Sequence, residues 1–315
     1  MSAIHSTAVV IESPKELKLS RLVLDAPKPD DIVVEIEWSG ISTGTEKLLW
    51  NGTMPHFPGM GYPLVPGYES VGRVIEAGPK ATIPVGQRVF VPGAKCFGDV
   101  KGLFGGAASH VVVPSARVTA LSEQIGREGV LLALAATAYH VTQGNVHKQP
   151  DLIIGHGVVG RLIARIAVML GHQPVVWEVN ADRMSGAKSY QVIHPDGDAR
   201  KDYARICDAS GQAQVLNQLI SRLKHGGEII LAGFYDNDIA FQFAPAFMRE
   251  VKLRIASQWD PSDLNAVKNC IDAGLLSLDD LITHHRSSTQ IDDVYRTAFE
   301  DARCLKMIVD WRSEK

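Results

Sequence analysis

One stretch limits the fold of this chain more than any other: Leu152-Ile153-Ile154 followed by Gly155-His156-Gly157-Val158-Val159-Gly160. A short apolar run, then Gly-x-Gly-x-x-Gly, then a helical pattern is the strand–turn–helix opening of a dinucleotide-binding sheet. Gly155 turns the chain sharply off the strand. Gly157 keeps the backbone clear for a pyrophosphate, and Gly160 lets the helix lie close on the sheet. The helix N-terminus then offers free N–H groups and a positive dipole end to phosphate. His156, Val158 and Val159 occupy the intervening cofactor-binding positions, and His156 is expected to meet the pyrophosphate or solvent.

Such a motif is weak alone, and its surroundings decide. Strand and helix patterns alternate after it: helix Val158–Leu170, strand Val175–Glu178, a helix from Ala181, strand Gln191–His194, strand Ala204–Asp208, helix Ala213–Lys224, strand Glu228–Ala232 and strand Leu253–Ser257. That alternation predicts a Rossmann doubly wound parallel sheet, hence an α/β chain. Arg161 and Arg165 lie opposite the apolar face of the first helix, as on a solvent-facing surface, and Arg183 reads as a helix-face charge. Glu178 ends the second strand, where a carboxylate accepts hydrogen bonds from the adenosine ribose and repels a 2′-phosphate; NAD is therefore expected over NADP. Asp208-Ala209-Ser210 and Gly233-Phe234 are small or turn-forming residues at strand ends, leaving room for cofactor.

Residues 1–133 differ in character. They read as short strands and Gly/Pro-rich loops, a barrel-like or roll-like unit. Residues 7–38 read as two strands, the second half-buried, with Ile32, Val34, Ile36 and Trp38 on one face. Residues 134–258 form the dinucleotide domain. The segment 259–315, with an apolar strand near 305–311, is expected to return to the first domain.

Composition excludes several classes. A net charge of −3 predicts no basic face for nucleic acid. The four cysteines have no metal-knuckle spacing and suggest no disulfide framework. No secretory leader is legible, and the longest apolar run, Val130–Ala138, is too short to span a bilayer. A cytoplasmic protein is expected.

The order β domain, dinucleotide domain, returning tail resembles the medium-chain dehydrogenase/reductase superfamily. Gly40-Ile41-Ser42-Thr43-Gly44-Thr45-Glu46 resembles its Gly-Ile-Cys-Gly-Thr-Asp segment with one extra residue, and Pro66-Gly67-Tyr68-Glu69-x-x-Gly72 its Pro-Gly-His-Glu-x-x-Gly segment. The resemblance implies a β-rich GroES-like catalytic domain. In zinc members the Cys, the His and a third residue ligate the metal; the matching positions here are Ser42, Tyr68 and Ala133. Ser and Tyr are poor zinc ligands and Ala is none, so no metal is expected. Phe57–Glu69, Gly102–Ala108, Leu231–Tyr235, Leu281–His284 and Ala298–Met307 further resemble the chlorophyllide and bacteriochlorophyllide dehydrogenases, a zinc-free branch. That resemblance implies oxidation of the C3 1-hydroxyethyl group of a tetrapyrrole to acetyl, with NAD as acceptor, and superfamily resemblance also implies a homodimer.

Without zinc, another group must polarise the alcohol and take its proton. Thr45 matches the superfamily's relay hydroxyl. Tyr68 and Glu69, with Ser42 and Lys47, are the candidates for the metal's role; alternatively Tyr68 fills the vacated cavity with its hydroxyl satisfied by Glu69. Lys306 matches a basic position that reaches the cofactor pyrophosphate, a surface-strand lysine being the alternative. Met54, Phe57, Met60 and Tyr62 in one loop, with Phe104 and Trp259, offer apolar surface to a flat tetrapyrrole; loop packing is the alternative. Two other functions stay open: a zinc-free quinone or enoyl reductase, expected to prefer NADPH, and a non-catalytic dinucleotide-binding scaffold.

Overall fold

In the computed structural model, which describes residues 3–312, the chain forms two compact units. Among the described residues, the first comprises residues 3–133 and 281–312, the second residues 134–280. The expected return of the tail therefore begins at Leu281 and not at 259, because the helix that follows Trp259 stays with the second unit.

The first unit opens with β1 (His5–Ser13), β2 (Glu16–Val23) and β3 (Asp31–Ile41), so the region read as two strands holds three. β1 and β2 form an antiparallel hairpin through the turn at Pro14-Lys15. α1 (Thr45–Asn51), β4 (Leu64–Val65), β5 (Ser70–Ala77), β6 (Arg88–Val91), β7 (Lys101–Gly102), β8 (His110–Pro114) and β9 (Thr119–Ala120) follow. β3 pairs with both β5 and β8, and its register shifts at Val33/Val34 and Ile36/Trp38. The expected face, Ile32, Val34, Ile36 and Trp38, is buried; on the other face Val33 is buried as well, whereas Glu35 and Glu37 stay partly exposed.

The chain passes between units within α2 (Leu132–Thr142). The second unit then runs β10 (Leu152–Ile154), α3 (Val158–Met169), β11 (Val175–Trp177), β12 (Gln191–Ile193), β13 (Tyr203–Asp208), α4 (Leu216–Arg222), β14 (Leu223–Leu231), α5 (Phe243–Met248), β15 (Lys252–Ile255) and α6 (Pro261–Asp272). Its sheet is parallel throughout, in the order β12-β11-β10-β13-β14-β15. Numbered within the unit this is 3-2-1-4-5-6, two mononucleotide halves meeting between β10 and β13. The helix expected from Ala181 is a single 3-10 turn, Ala181–Arg183. α6 starts on a capping box between Asp260 and Asp263, with Pro261 in its first turn.

The tail adds β16 (His284–Ser287), α7 (Ile291–Glu300) and β17 (Met307–Asp310). α7 buries Ile291, Val294, Tyr295, Ala298 and Phe299, a continuous helical stripe, in the core of the first unit. β17 pairs antiparallel with β3, setting Met307 opposite Ile41. That register carries Lys306 to the end of β3, where the candidate site begins. Among the described residues no helix is long and apolar enough to cross a membrane.

Candidate active site

The end of β3 and the start of α1 hold a chain of hydroxyls. Tyr68 donates its phenolic hydrogen to Ser42 Oγ at 2.6 Å, and Thr45 Oγ1 donates to the Tyr68 hydroxyl at 3.2 Å. The Tyr68 hydroxyl is thus satisfied by Ser42 and Thr45, and the alternative in which Glu69 satisfies it does not hold. Burial, followed by the nearby Glu69 carboxylate, pushes the Tyr68 phenol up from its ordinary value. Phe104, partly exposed, meets the Tyr68 ring edge-on at 5.5 Å.

Ala133 is buried. The donors at the three positions of the zinc ligands are therefore two hydroxyls engaged with each other and a methyl group. This set does not fit zinc, which takes thiolate, imidazole and carboxylate donors.

Behind the hydroxyls lies a set of buried charges. Lys306 Nζ donates to Glu69 Oε2 at 2.6 Å and to the Ile41 carbonyl at 3.0 Å. Lys306 is 1% exposed and Glu69 0%. Lys306 was expected at the cofactor pyrophosphate; it is instead consumed within the first unit. Glu69 was a candidate to act on the substrate proton, and its engagement with Lys306 makes it a buried ion-pair partner. The space is tight enough that a Cβ on Gly40 would stand 2.3 Å from Glu69 Oε2, which gives that glycine a packing reason. Glu46 lies beside them, with Ser42 N–H donating to its Oε1 at 3.3 Å and Tyr295 O–H to its Oε2 at 3.5 Å. It belongs to the network, although only its place in the Gly40–Glu46 segment marked it in the sequence. Lys47, the remaining catalytic candidate, donates to the Phe299 carbonyl at 2.7 Å near the end of α7, away from the hydroxyl chain.

The loop expected to bind substrate is largely occupied with itself. Met54 is buried with Ile11, Leu49, Leu64 and Leu103, and Phe57, Met60 and Tyr62 lie against that cluster. The Tyr62 hydroxyl bonds to the Leu49 carbonyl. Loop packing explains these four residues without a ligand. Phe104 is the aromatic left facing outward beside the hydroxyls, and Trp259 is half-buried in the second unit.

In the second unit the glycine loop has the geometry a dinucleotide needs. Gly155 has φ +91°, and a Cβ on Gly160 would stand 1.9 Å from the Gly155 carbonyl oxygen, so side chains are excluded at both. Gly157 meets nothing within 4 Å of where a Cβ would be. The protein itself gives no reason for glycine there; a phosphate lying against the loop does. The first turn of α3 has no side-chain cap, which leaves the N–H groups of Val158 and Val159 for the same phosphate.

Glu178 holds this loop. Its Oε2 accepts from His156 N–H at 2.8 Å, and its Oε1 accepts from Val179 and Asn180 N–H, both at 2.8 Å. His156 faces neither pyrophosphate nor solvent. It is 0% exposed, donates from Nδ1 to the Arg183 carbonyl at 2.6 Å, and accepts at Nε2 from the Tyr190 hydroxyl at 2.8 Å. Burial lowers its pKa to about 4, which keeps the ring neutral, and the Arg183 carbonyl selects the Nδ1–H tautomer. Arg161 and Arg165 are likewise buried, contrary to the solvent-facing expectation. Arg161 donates to the carbonyls of His156, Arg183, Ser185 and Gly186 at 2.7–3.2 Å. The physical reason is the helix missing after β11: its backbone carbonyls have no helical N–H partners, and one guanidinium supplies them. Arg165 donates to the Ser277 carbonyl at 2.8 Å.

At the end of β13, the Asp208 carboxylate accepts from Ser210 N–H and Oγ and from the Tyr235 hydroxyl. It shapes the crevice loop from within, while Ala209, Ser210 and Gly233 are partly exposed and Phe234 is exposed. His140 pairs with Asp263 at 2.6 Å and ties α2 to α6.

With the geometry in place, comparison with known proteins is informative. The alcohol dehydrogenase GroES-like domain model matches residues 28–123. The chain is 51% identical over 313 residues to the 2-desacetyl-2-hydroxyethyl bacteriochlorophyllide A dehydrogenase of Rhodobacter capsulatus, covering 99% of this chain and 100% of that one. It is also 51% identical over 315 residues to the protein of the same name from Cereibacter sphaeroides, with 98% and 99% covered. Among solved structures, L-idonate 5-dehydrogenase from Escherichia coli superposes with a TM-score of 0.85 at 17% identity, over 98% of this chain and 99% of that one. An alcohol dehydrogenase from E. coli CFT073 complexed with NADH gives 0.82 at 20% identity, over 98% and 100%. At these identities the structures establish the fold alone.

Proposed function

The chain belongs to the 2-desacetyl-2-hydroxyethyl bacteriochlorophyllide A dehydrogenase family, and on that premise we propose that it oxidises the C3 1-hydroxyethyl group of a chlorophyllide or bacteriochlorophyllide to acetyl, with NAD⁺ as acceptor and no zinc. The 51% identity over nearly the whole chain carries the substrate class. The Thr45–Tyr68–Ser42 hydroxyl chain supports the mechanism.

Oxidation removes a hydride from the carbinol carbon and a proton from its oxygen. Bound at the glycine loop, NAD⁺ supplies the hydride acceptor, and the products are ketone, NADH and one proton. The chain's hydroxyls handle the proton. Burial raises the Tyr68 phenol, so it is no resting phenolate base. It works as the middle of a relay: three rotatable hydroxyls accept the alcohol proton at one end and release one to solvent water at the other, each remaining neutral at rest. Phe104 offers an aromatic face to the flat ring beside that relay. Glu178 supports NAD over NADP, because a buried carboxylate held by three N–H groups stands where a 2′-phosphate would come. A cytoplasmic location is part of the same proposal. It forms a homodimer through the β15 edge, where Phe243, Phe247, Met248 and Ile255 leave an apolar surface exposed; mass in solution tests this.

The direct test mixes the protein with the 3-hydroxyethyl pigment and NAD⁺ and follows the pigment's long-wavelength absorption band. An NAD⁺-dependent band shift is expected. No shift, with NADPH-driven quinone consumption instead, points to a reductase; neither reaction points to a scaffold.

A further inference from the structure

Among the described residues of the first unit, three carboxyl or amine side chains, Glu46, Glu69 and Lys306, are at most 1% exposed. Two are acids and one is a base. If all three were charged, the dry interior would hold one uncompensated negative charge, which is costly without a further partner. Lys306 commits itself geometrically to Glu69 at 2.6 Å and to the Ile41 carbonyl. Among the described residues Glu46 has no cation within hydrogen-bond reach; its partners are the Ser42 N–H and the Tyr295 hydroxyl. The groups facing it from the surrounding elements are Tyr295 on α7, Glu69 and Tyr68 ahead of β5, and Lys306 ahead of β17.

We infer that Glu46 is a positioning residue that works as an uncharged carboxylic acid beneath the Ser42–Tyr68–Thr45 relay, and that its ionisation shuts turnover down. The inference rests on the proposed dehydrogenase function. Alcohol oxidation builds negative charge on the substrate oxygen as its proton leaves. A neutral acid beneath Ser42 leaves that charge unopposed, whereas a second buried carboxylate repels it. Burial first, then the Glu69 carboxylate, raises the Glu46 pKa to about 8, against the lowering effects of Ser42 N–H, Lys306 and Tyr295. Neutral pH therefore finds Glu46 protonated.

Glu46→Gln keeps size and neutrality and tests this. In the wild type, kcat/KM for the pigment at saturating NAD⁺ is expected to fall above about pH 8, by up to about tenfold per pH unit. Glu46→Gln should retain neutral-pH activity within about threefold and lose that alkaline limb. An unchanged limb in Glu46→Gln, or a loss of about 100-fold or more at pH 7, overturns the inference. A second measurement needs neither variant nor activity. In the wild type, the urea-unfolding equilibrium should shift toward the unfolded state by up to about tenfold per pH unit between pH 7 and about 8 and level off above it; a flat profile across pH 7–8 overturns the inference. If wild-type protein turns over no pigment, the proposed function fails, while the unfolding profile still decides the state of Glu46.

Discussion

The two units solve the same problem with opposite chemistry. In each, a feature that the sequence leads one to expect is missing. The first unit lacks the side chains that hold a metal, and its site contains hydroxyls backed by a buried ion pair and a buried acid. The second unit lacks a helix after β11, and its carbonyls are gathered by one buried arginine and one neutral histidine. Charge on the first side is balanced between side chains. On the second it is spread over main-chain dipoles. Losing a partner should therefore be more damaging in the first unit, where an uncompensated charge is left behind, than in the second, where water can reach several of the released carbonyls.

The largest expected effect follows from that difference. Lys306→Met leaves Glu69 buried without its cation and should cost about 3–5 kcal/mol in urea unfolding, whereas Lys306→Met combined with Glu69→Leu should recover most of the loss. A double variant as unstable as the single one would mean that the pair is not what Lys306 serves. Arg161→Met tests the other side. It removes the donor from four carbonyls, two of them on exposed residues, and should cost about 2–3 kcal/mol. A loss equal to that of Lys306→Met would erase the distinction between the units.

Much of this was legible in the sequence. β10 and the start of α3 fall where the apolar run and the glycines put them. Periodicity and glycine spacing are local, and local patterns survive folding. The misreadings are non-local. Arg161 and Arg165 sit on a polar helical stripe, and a stripe does not reveal whether it faces water or a neighbouring segment stripped of its helix. The match of Lys306 to a basic position in relatives points to the cofactor; only the β17–β3 register shows that it reaches Glu69 first. Glu46 does not stand out because an acid in the first turn of a short helix ordinarily reads as a favourable N-terminal charge. The tail boundary was set at 259 because the strand pattern ends there, whereas α6 is held to α2 by the His140–Asp263 contact.

A smaller effect sharpens the comparison through pH. His156 is buried and neutral, with a pKa lowered to about 4. Its contribution to stability is full above the ordinary histidine value near 6.5 and is lost as pH falls toward about 4. Glu46 works in the opposite sense: its raised pKa makes stability fall as pH rises from about 4.5 to about 8. Between roughly pH 4.5 and 6.5 the two slopes oppose each other. His156→Gln should therefore steepen the decline of stability with rising pH in that window, as followed by urea unfolding. An unchanged slope would mean that His156 is already charged in the folded protein.

The central claim is that hydroxyls do the metal's work in the first unit. Tyr68→Phe tests it most directly, because it removes the one oxygen that joins Thr45 to Ser42 and leaves the ring against Phe104. At saturating NAD⁺ and pigment, kcat should fall by about 10²-fold or more, with NADH affinity, measured by fluorescence, unchanged. A variant that turns over as fast as the wild type would contradict the relay and leave Tyr68 as the filler of an emptied cavity.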